Sequence, residues 1–281
     1  MYQLRTPAAE LRPFIEHYWF VTSDDGPVDI RVDVFVDARA DLVFNFGVPY
    51  VREVIGGARS EHRRSNLDAQ RLAPIRIVQR GAVRIAGVRF RLGGLGAFCR
   101  GPLRDWTGQT PEPDAVLGHD AVALERDLAA GPIDAQAQRL DGFFAQRLVL
   151  DEPYARFQRA LAHLSAGDGN AGVDAVAAAA GVSQRHADRL FARYLGIAPK
   201  TVARVLRFQC ALRSLMRDPG VSLAEVASRA GYFDHAHFIK DFRRMSGGVP
   251  RGYRGYYPAD APSHFAPNVV VFLQDEAARR A

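Results

Sequence analysis

Two periodicities divide the chain. Between residues 18 and 90, apolar and polar positions alternate in short runs, the period-two pattern of half-buried strands. Ile30-Arg31-Val32-Asp33-Val34 shows it most plainly, and 42–46, 51–55, 75–78 and 83–90 follow, several bounded by Gly or Pro. Strands this closely spaced predict an antiparallel barrel or sandwich. The polar stretch 57–70, with Glu61-His62-Arg63-Arg64, reads as a loop. After Gly93-Gly94 the period lengthens to that of a helix. Val122, Leu124 and Leu128, then Ala137, Leu140, Phe143, Phe144 and Leu148, predict two helices broken at Gly131-Pro132. Such helices either pack on the strands or pair with another subunit. Leu140, Phe143, Phe144 and Leu148 are the candidate pairing face.

Beyond residue 150 the pattern is helical, and it repeats. Val176-Ala177-Ala178-Ala179-Ala180-Gly181 lies over Val226-Ala227-Ser228-Arg229-Ala230-Gly231, an offset of 50 (231 less 181). Past the glycine the offset is 51. Ser183 then lies over Asp234, Phe191 over Phe242, Gly196 over Gly247 and Pro199 over Pro250. One unit has gained a single residue in its turn. Each unit reads as helix, glycine turn, helix: Gly181 and Gly231 take φ > 0 without a Cβ penalty, and Ser183 and Asp234 offer oxygens to cap the next helix. In the first capped helix Ala187, Leu190, Phe191 and Tyr194 recur at i, i+3, i+4, i+7 and must face inward. Gln184, Arg185, Asp188, Arg189 and Ala192 face out. In the second, Phe238, Phe242 and Met245 face inward, and His235, Ala236, Ile239, Lys240 and Arg243 face out. Each unit is a helix-turn-helix. Between them a helix starts at Pro199 and runs to about Met216, spanning roughly 25 Å. A rigid helix of that order holds two reading helices about one DNA turn apart, roughly 34 Å.

Charge sharpens this division. Residues 1–150 hold 19 Arg and 19 acids, residues 151–257 hold 16 Lys+Arg against 9 acids, and residues 258–281 hold 2 against 3. The formal net charge of +6 is thus the sum of 0, +7 and −1, so the excess sits on the segment with the repeat. A polyanion is the expected partner of that segment. Among 281 residues there are two cysteines, Cys99 and Cys210, which excludes a disulfide framework. The first twenty residues lack the pattern of a signal peptide, and no apolar run approaches membrane-spanning length, so the expected compartment is the cytoplasm. No Gly-x-Ser-x-Gly elbow or His-Glu-x-x-His helix is present, and neither a metal nor a cofactor is expected. Gly93-Gly94-Leu95-Gly96 is read as a strand-to-helix turn, and Cys99, beside Phe98, as a buried inert thiol. Trp19, Phe44, Phe46 and Trp106 are read as core, with a ligand pocket as the alternative.

On these residues the segment 151–257 resembles the DNA-binding domain of AraC/XylS-type transcriptional regulators. GVSQRHADRLFARYLGIAPK is similar to the family's first helix-turn-helix unit and AEVASRAGYFDHAHFIKDFRRMSGGVPRGYR to its second. PKTVARVLRFQ and GYFDHAHF resemble one branch, whose N-terminal half carries strands like VDARADLVFNFG and AGVRFRLGG and whose tail resembles VVVFLQD. The chain departs from the sugar-binding type, lacking a cupin-like His/Glu set. The resemblance implies base-reading side chains at Arg185, Asp188 and Arg189, and at His235, Ala236, His237 and Lys240. Gln184 and Arg243, on the same outward faces, complete the candidate DNA-binding set. Asp188 would accept from a cytosine amino group or orient Arg185 or Arg189. His235 and His237 do not share a helix face, so no metal site is read there.

The expected fold class is α+β: a strand-rich barrel or sandwich with accessory helices (1–150), an all-α domain of two helix-turn-helix units (151–257) and a tail (258–281). The first part is expected to fold alone and to sense a small molecule, pair subunits, or both. The expected function is a sequence-specific transcription regulator, not an enzyme. Its partners are double-stranded DNA, a small-molecule effector, a second copy and RNA polymerase. The competing reading is a DNA-repair enzyme fused to the same domain, with Cys99 as an alkyl acceptor.

Overall fold

A computed structural model describes residues 2–23, 26–57, 60–218, 220–254 and 269–272. The N-terminal half forms two antiparallel sheets. In chain order the strands are β1 (Tyr2–Arg5), β2 (Ile15–Thr22), β3 (Val28–Val34), β4 (Asp41–Asn45), β5 (Tyr50–Val54), β6 (Ser60–Arg63), β7 (Asn66–Asp68), β8 (Ile75–Gly81) and β9 (Arg84–Phe90). A tenth, β10 (Val269–Phe272), comes from the tail. One sheet runs β1-β2-β9-β4-β7 and the other β10-β3-β8-β5-β6. The tail therefore returns to the N-terminal half, with Val269 opposite Val34 and Phe272 opposite Arg31. The rest of 258–281 lies outside the described residues.

The fold is the α+β arrangement expected from the two periodicities, and the strand half is two sheets. The polar stretch 57–70 is not a loop throughout. It supplies β6 and β7, which pair with β5 and β4 at the outer edge of each sheet. Its polarity misled because Asn66 and Asp68 on β7 are buried polar residues, and Asp68 meets Arg52 at 3.1 Å.

Helices α1 (Pro113–Leu117), α2 (Asp120–Leu128) and α3 (Ile133–Ala145) follow, with the α2–α3 break at Gly131-Pro132. Three of the four side chains read as a pairing face are not free to pair. Leu140, Phe143 and Phe144 are buried in the chain's own core, and the Phe144 ring sits 5.5 Å from Phe90 and 4.9 Å from Phe98. These side chains cover the end of the strand half, which removes from water the area that a partner would have needed.

The remaining helices are α4 (Glu152–Ala166), α5 (Val173–Ala179), α6 (Gln184–Tyr194), α7 (Pro199–Arg217), α8 (Leu223–Arg229) and α9 (His235–Ser246). One contiguous set of buried residues runs through strands and helices alike. The 3-10 turn Gly94–Ala97, just after β9, packs closely on α6: a Cβ on Gly96 would stand 2.4 Å from the Tyr194 carbonyl oxygen. Only glycine lets the two backbones meet there. Tyr154 of α4 donates its hydroxyl to the Gly93 carbonyl at 3.3 Å. Of the four aromatics read as core or pocket, Phe44 is fully buried, and Trp106 and Phe46 pack against the core from partly exposed positions. Trp19 is half-buried over Gly87.

Candidate nucleic-acid interface

The sequence repeat is repeated in hydrogen bonds. Gly181 N–H donates to Ala178 O at 2.9 Å, and Gly231 N–H to Ser228 O at 3.0 Å. One residue on, Val182 N–H donates to Ala177 O at 3.1 Å, and Tyr232 N–H to Ala227 O at 2.9 Å. These pairs end α5 and α8 identically, with Gly181 at φ 65° and Gly231 at φ 72°. The next helices start on caps. Ser183 Oγ accepts from His186 N–H at 3.3 Å, and Asp234 Oδ1 from His237 N–H at 2.7 Å. Replacing either cap by alanine is expected to cost about 1 kcal/mol of stability. Urea unfolding measures it, and an unchanged midpoint would mean that packing alone fixes the helix start.

Hydrophobic phase then orients both helices. Ala187, Leu190, Phe191 and Tyr194 of α6 are buried, as are Phe238, Phe242 and Met245 of α9. Gln184, Arg185, Asp188 and Arg189 are exposed on α6, and His235, Ala236, His237, Lys240 and Arg243 on α9. Every candidate DNA-binding residue therefore lies on an exposed face. Ala192 and Ile239, also read as outward, are half-buried at the margins.

The exposed side chains divide by their partners. Among the described residues, Arg185, Arg189, Lys240 and Arg243 have no carboxylate partner. Asp188 forms no ion pair with Arg185 or Arg189, so it does not orient them here. Gln184 donates to Asp174 of α5, which ties the amino end of α6 to the preceding helix. His237 is held rather than free: its Nε2 is 3.5 Å from Asp241 Oδ2, and its ring meets Tyr232 edge-on at 5.4 Å.

Sequence reading missed the brace behind this face. Asp241 is 2% exposed and receives Arg204 of α7 through Nε at 3.2 Å and Nη2 at 2.5 Å. That fork fixes α9 on the linking helix α7. The signal was present in the period. Residues 238, 241, 242 and 245 share the inward phase, and a carboxylate in that phase requires a buried partner.

The strand half positions both units from behind. Thr107 donates to the Gly196 carbonyl beyond α6 at 2.8 Å. Val36 N–H donates to Met245 O near the end of α9 at 3.2 Å, and Gln209 Nε2 of α7 donates to Val36 O at 2.6 Å. Tyr253 meets Phe35 edge-on at 5.3 Å. The carboxyl ends of α6 and α9 thus abut the N-terminal half. Their amino ends, the ends opposite these contacts, carry the exposed Gln184, Arg185, His235 and Ala236.

Comparison with known proteins agrees with this geometry. Residues 176–256 match the family model of a helix-turn-helix domain, and residues 3–112 match a domain of unknown function, DUF6597. The HTH-type transcriptional regulator GlxA of Rhizobium meliloti is 38% identical over 80 residues, covering 28% of this chain and 24% of that protein. GbdR of Pseudomonas aeruginosa, also an HTH-type transcriptional regulator, is 35% identical over 95 residues, covering 34% and 26%. The chain thus spans about a quarter of these two relatives. The transcriptional activator NphR of Rhodococcus sp. is 27% identical over 269 residues, covering 89% of this chain and 73% of that one. Among solved structures, ToxT from Vibrio cholerae has a TM-score of 0.43 at 10% identity, covering 83% of this chain and 97% of ToxT. No helix among the described residues is long and apolar enough to cross a membrane. The C-terminal part of the chain thus carries a helix-turn-helix domain of the AraC type, and a strand-rich region precedes it.

Proposed function

We propose that the chain is a sequence-specific DNA-binding transcription regulator whose two reading helices, α6 and α9, enter successive stretches of major groove. The carrying observation is the pair of capped helices that expose cations without carboxylate partners. Arg185 and Arg189 suit bidentate bonding to guanine O6 and N7, and Lys240 and Arg243 suit guanine or phosphate. Selection of bound duplexes from a random pool with the full chain tests this, followed by titration of the selected duplex against salt. Affinity should fall steeply with salt as counterions are released. A chain that prefers no duplex over bulk DNA would refute the reading.

Arg189→Ala and Lys240→Ala are each expected to cost about 1–3 kcal/mol on the selected duplex, and less on non-specific DNA. Equal losses on both would reassign the side chain to phosphate.

The proposal extends to the strand half as a sensor of a small molecule. A cavity of about 450 Å³ lies between β2, β9 and the α2–α3 connection, lined by Phe20, Phe46, Ile85, Arg5, Arg84 and Gln136. Phe46, read as core with a pocket as the alternative, is one of its walls. A bound effector would raise the melting temperature of the chain. A second copy and RNA polymerase stay as proposed partners, and no catalytic role is proposed. The competing repair reading has little to stand on at Cys99, because burial pushes its thiol up to about 12, where no nucleophilic thiolate forms near neutral pH.

A further inference from the structure

The residue that the second helix-turn-helix unit has gained is Phe233. The hydrogen bonds set Val182 against Tyr232, since both donate to the carbonyl five residues back. Both also turn inward against the core, Val182 partly and Tyr232 fully buried. Ser183 and Asp234 are the two caps. Between Tyr232 and its cap the second unit carries one more residue, and the first unit has no counterpart to it.

This residue is in water. Phe233 is 96% exposed, well beyond the next large apolar side chain, Leu150 at 60%. Among the described residues its ring meets no other aromatic ring. Burying a phenylalanine side chain is favourable, and the folded chain alone recovers almost none of that gain here. The turn needs only Gly231 and a cap, so the extra side chain serves nothing inside the chain.

Its position says what would cover it. Phe233 directly precedes Asp234, the cap of α9, at the end of that helix opposite its contact with the strand half. In a helix-turn-helix, that end of the reading helix meets base edges. Exposed His235 and Ala236 flank it, and the unpaired cations Lys240 and Arg243 follow on the same helix. An apolar ring in such a setting matches the one apolar group that the major groove displays, the 5-methyl of thymine.

We propose that Phe233 is a specificity-determining residue that packs on a thymine methyl in the half-site read by α9. The inference rests on the DNA-binding reading of the same helix. The test uses the full chain, the duplex selected with it, and the variants Phe233→Ala and Phe233→Leu. Because the ring is exposed, Phe233→Ala should melt with the wild type. It should bind the selected duplex about tenfold more weakly with an unchanged salt slope, since an apolar contact releases no counterions. Phe233→Leu should recover part of the loss. Replacing each thymine of that half-site in turn by deoxyuridine should identify one position where the wild type weakens and Phe233→Ala does not. Equal affinity of Phe233→Ala and wild type would overturn the inference, as would deoxyuridine losses that are the same in both proteins. A variant that binds DNA normally but sediments as a smaller species would overturn it too, by giving the ring to a second copy. A wild type that selects no duplex would instead remove the DNA-binding reading itself.

Discussion

Asp37→Ala is expected to lose about 3–5 kcal/mol of folding stability, although the residue lies in a loop after β3, outside both helix-turn-helix units. The reason is the ionic cluster inside the strand half. Arg71 and Arg89 are buried to 1% and 3% exposure. Arg71 meets Asp37 at 3.3 Å and also pairs with Asp68, while Arg89 pairs with Asp37 and Asp41. Arg52 closes the cluster on Asp68. Three guanidiniums thus share three carboxylates. Removing Asp37 leaves the same three cations with two, in a place where water cannot replace the lost charge. A domain holds only about 5–15 kcal/mol in all, so the variant should unfold at much lower urea. A loss below about 1 kcal/mol would show that the cluster tolerates a vacancy.

The same variant carries a pH signature. Burial disfavours the Asp37 carboxylate, but Arg89 and Arg71 overcome it and hold the carboxyl below its usual range. A depressed folded pKa means stabilisation that is complete above the unfolded value, about 4, and lost as pH falls through the folded one. The stability gap between wild type and Asp37→Ala should therefore be constant near neutrality and close as the solution becomes acidic. A gap that widens in acid would contradict this assignment.

Asp37 also stands beside the joint between the halves. Val36, its neighbour, accepts from Gln209 of α7 and donates to Met245 of α9. One residue anchors the ionic cluster, and the one before it anchors the second helix-turn-helix unit. Loosening the cluster should therefore reach the reading helix through two hydrogen bonds.

The cluster also explains where sequence reading stopped. Strand β3, which alternates most plainly, was legible because polar residues on it face out: Asp29 and Arg31 are exposed. Strand β7 was not, because its Asn66 and Asp68 are polar and buried, and only the fold reveals Arg52 and Arg71 as partners. The turns, caps and inward apolar positions of both helix-turn-helix units were legible, since glycine, cap and inward phase are local devices that act within a few positions. The Arg204–Asp241 brace joins residues 37 apart, and the joint of Gln209 with Val36 spans 173. Local period carries no information at such range. Gly96 was read as part of a turn, which it is. Its approach to the backbone of Tyr194 depends on a helix that starts almost ninety residues later.

Phe242→Ala is expected to cost about 3–5 kcal/mol as well, by truncation of a core side chain rather than by stranding charge. Phe242 is fully buried at the centre of an aromatic group, 5.2 Å from Phe208 of α7, 5.7 Å from Phe238 and 5.5 Å from Tyr253. Tyr253 in turn rests on Phe35 of the strand half, so the cavity opens where the second unit joins the rest of the chain. The melting temperature should drop by on the order of 10 °C. Because the core is continuous, the loss should appear in the helical circular dichroism and in the fluorescence of Trp19 and Trp106 at the same temperature, both tryptophans lying in the N-terminal half. An unchanged melt would refute the inward placement of Phe242, and a fluorescence transition left at the wild-type temperature would refute the shared core. Phe233→Ala is the matched control. It removes the same atoms from the same unit, nine positions earlier, where the ring lies in water, so it should leave the melt in place and weaken only DNA binding.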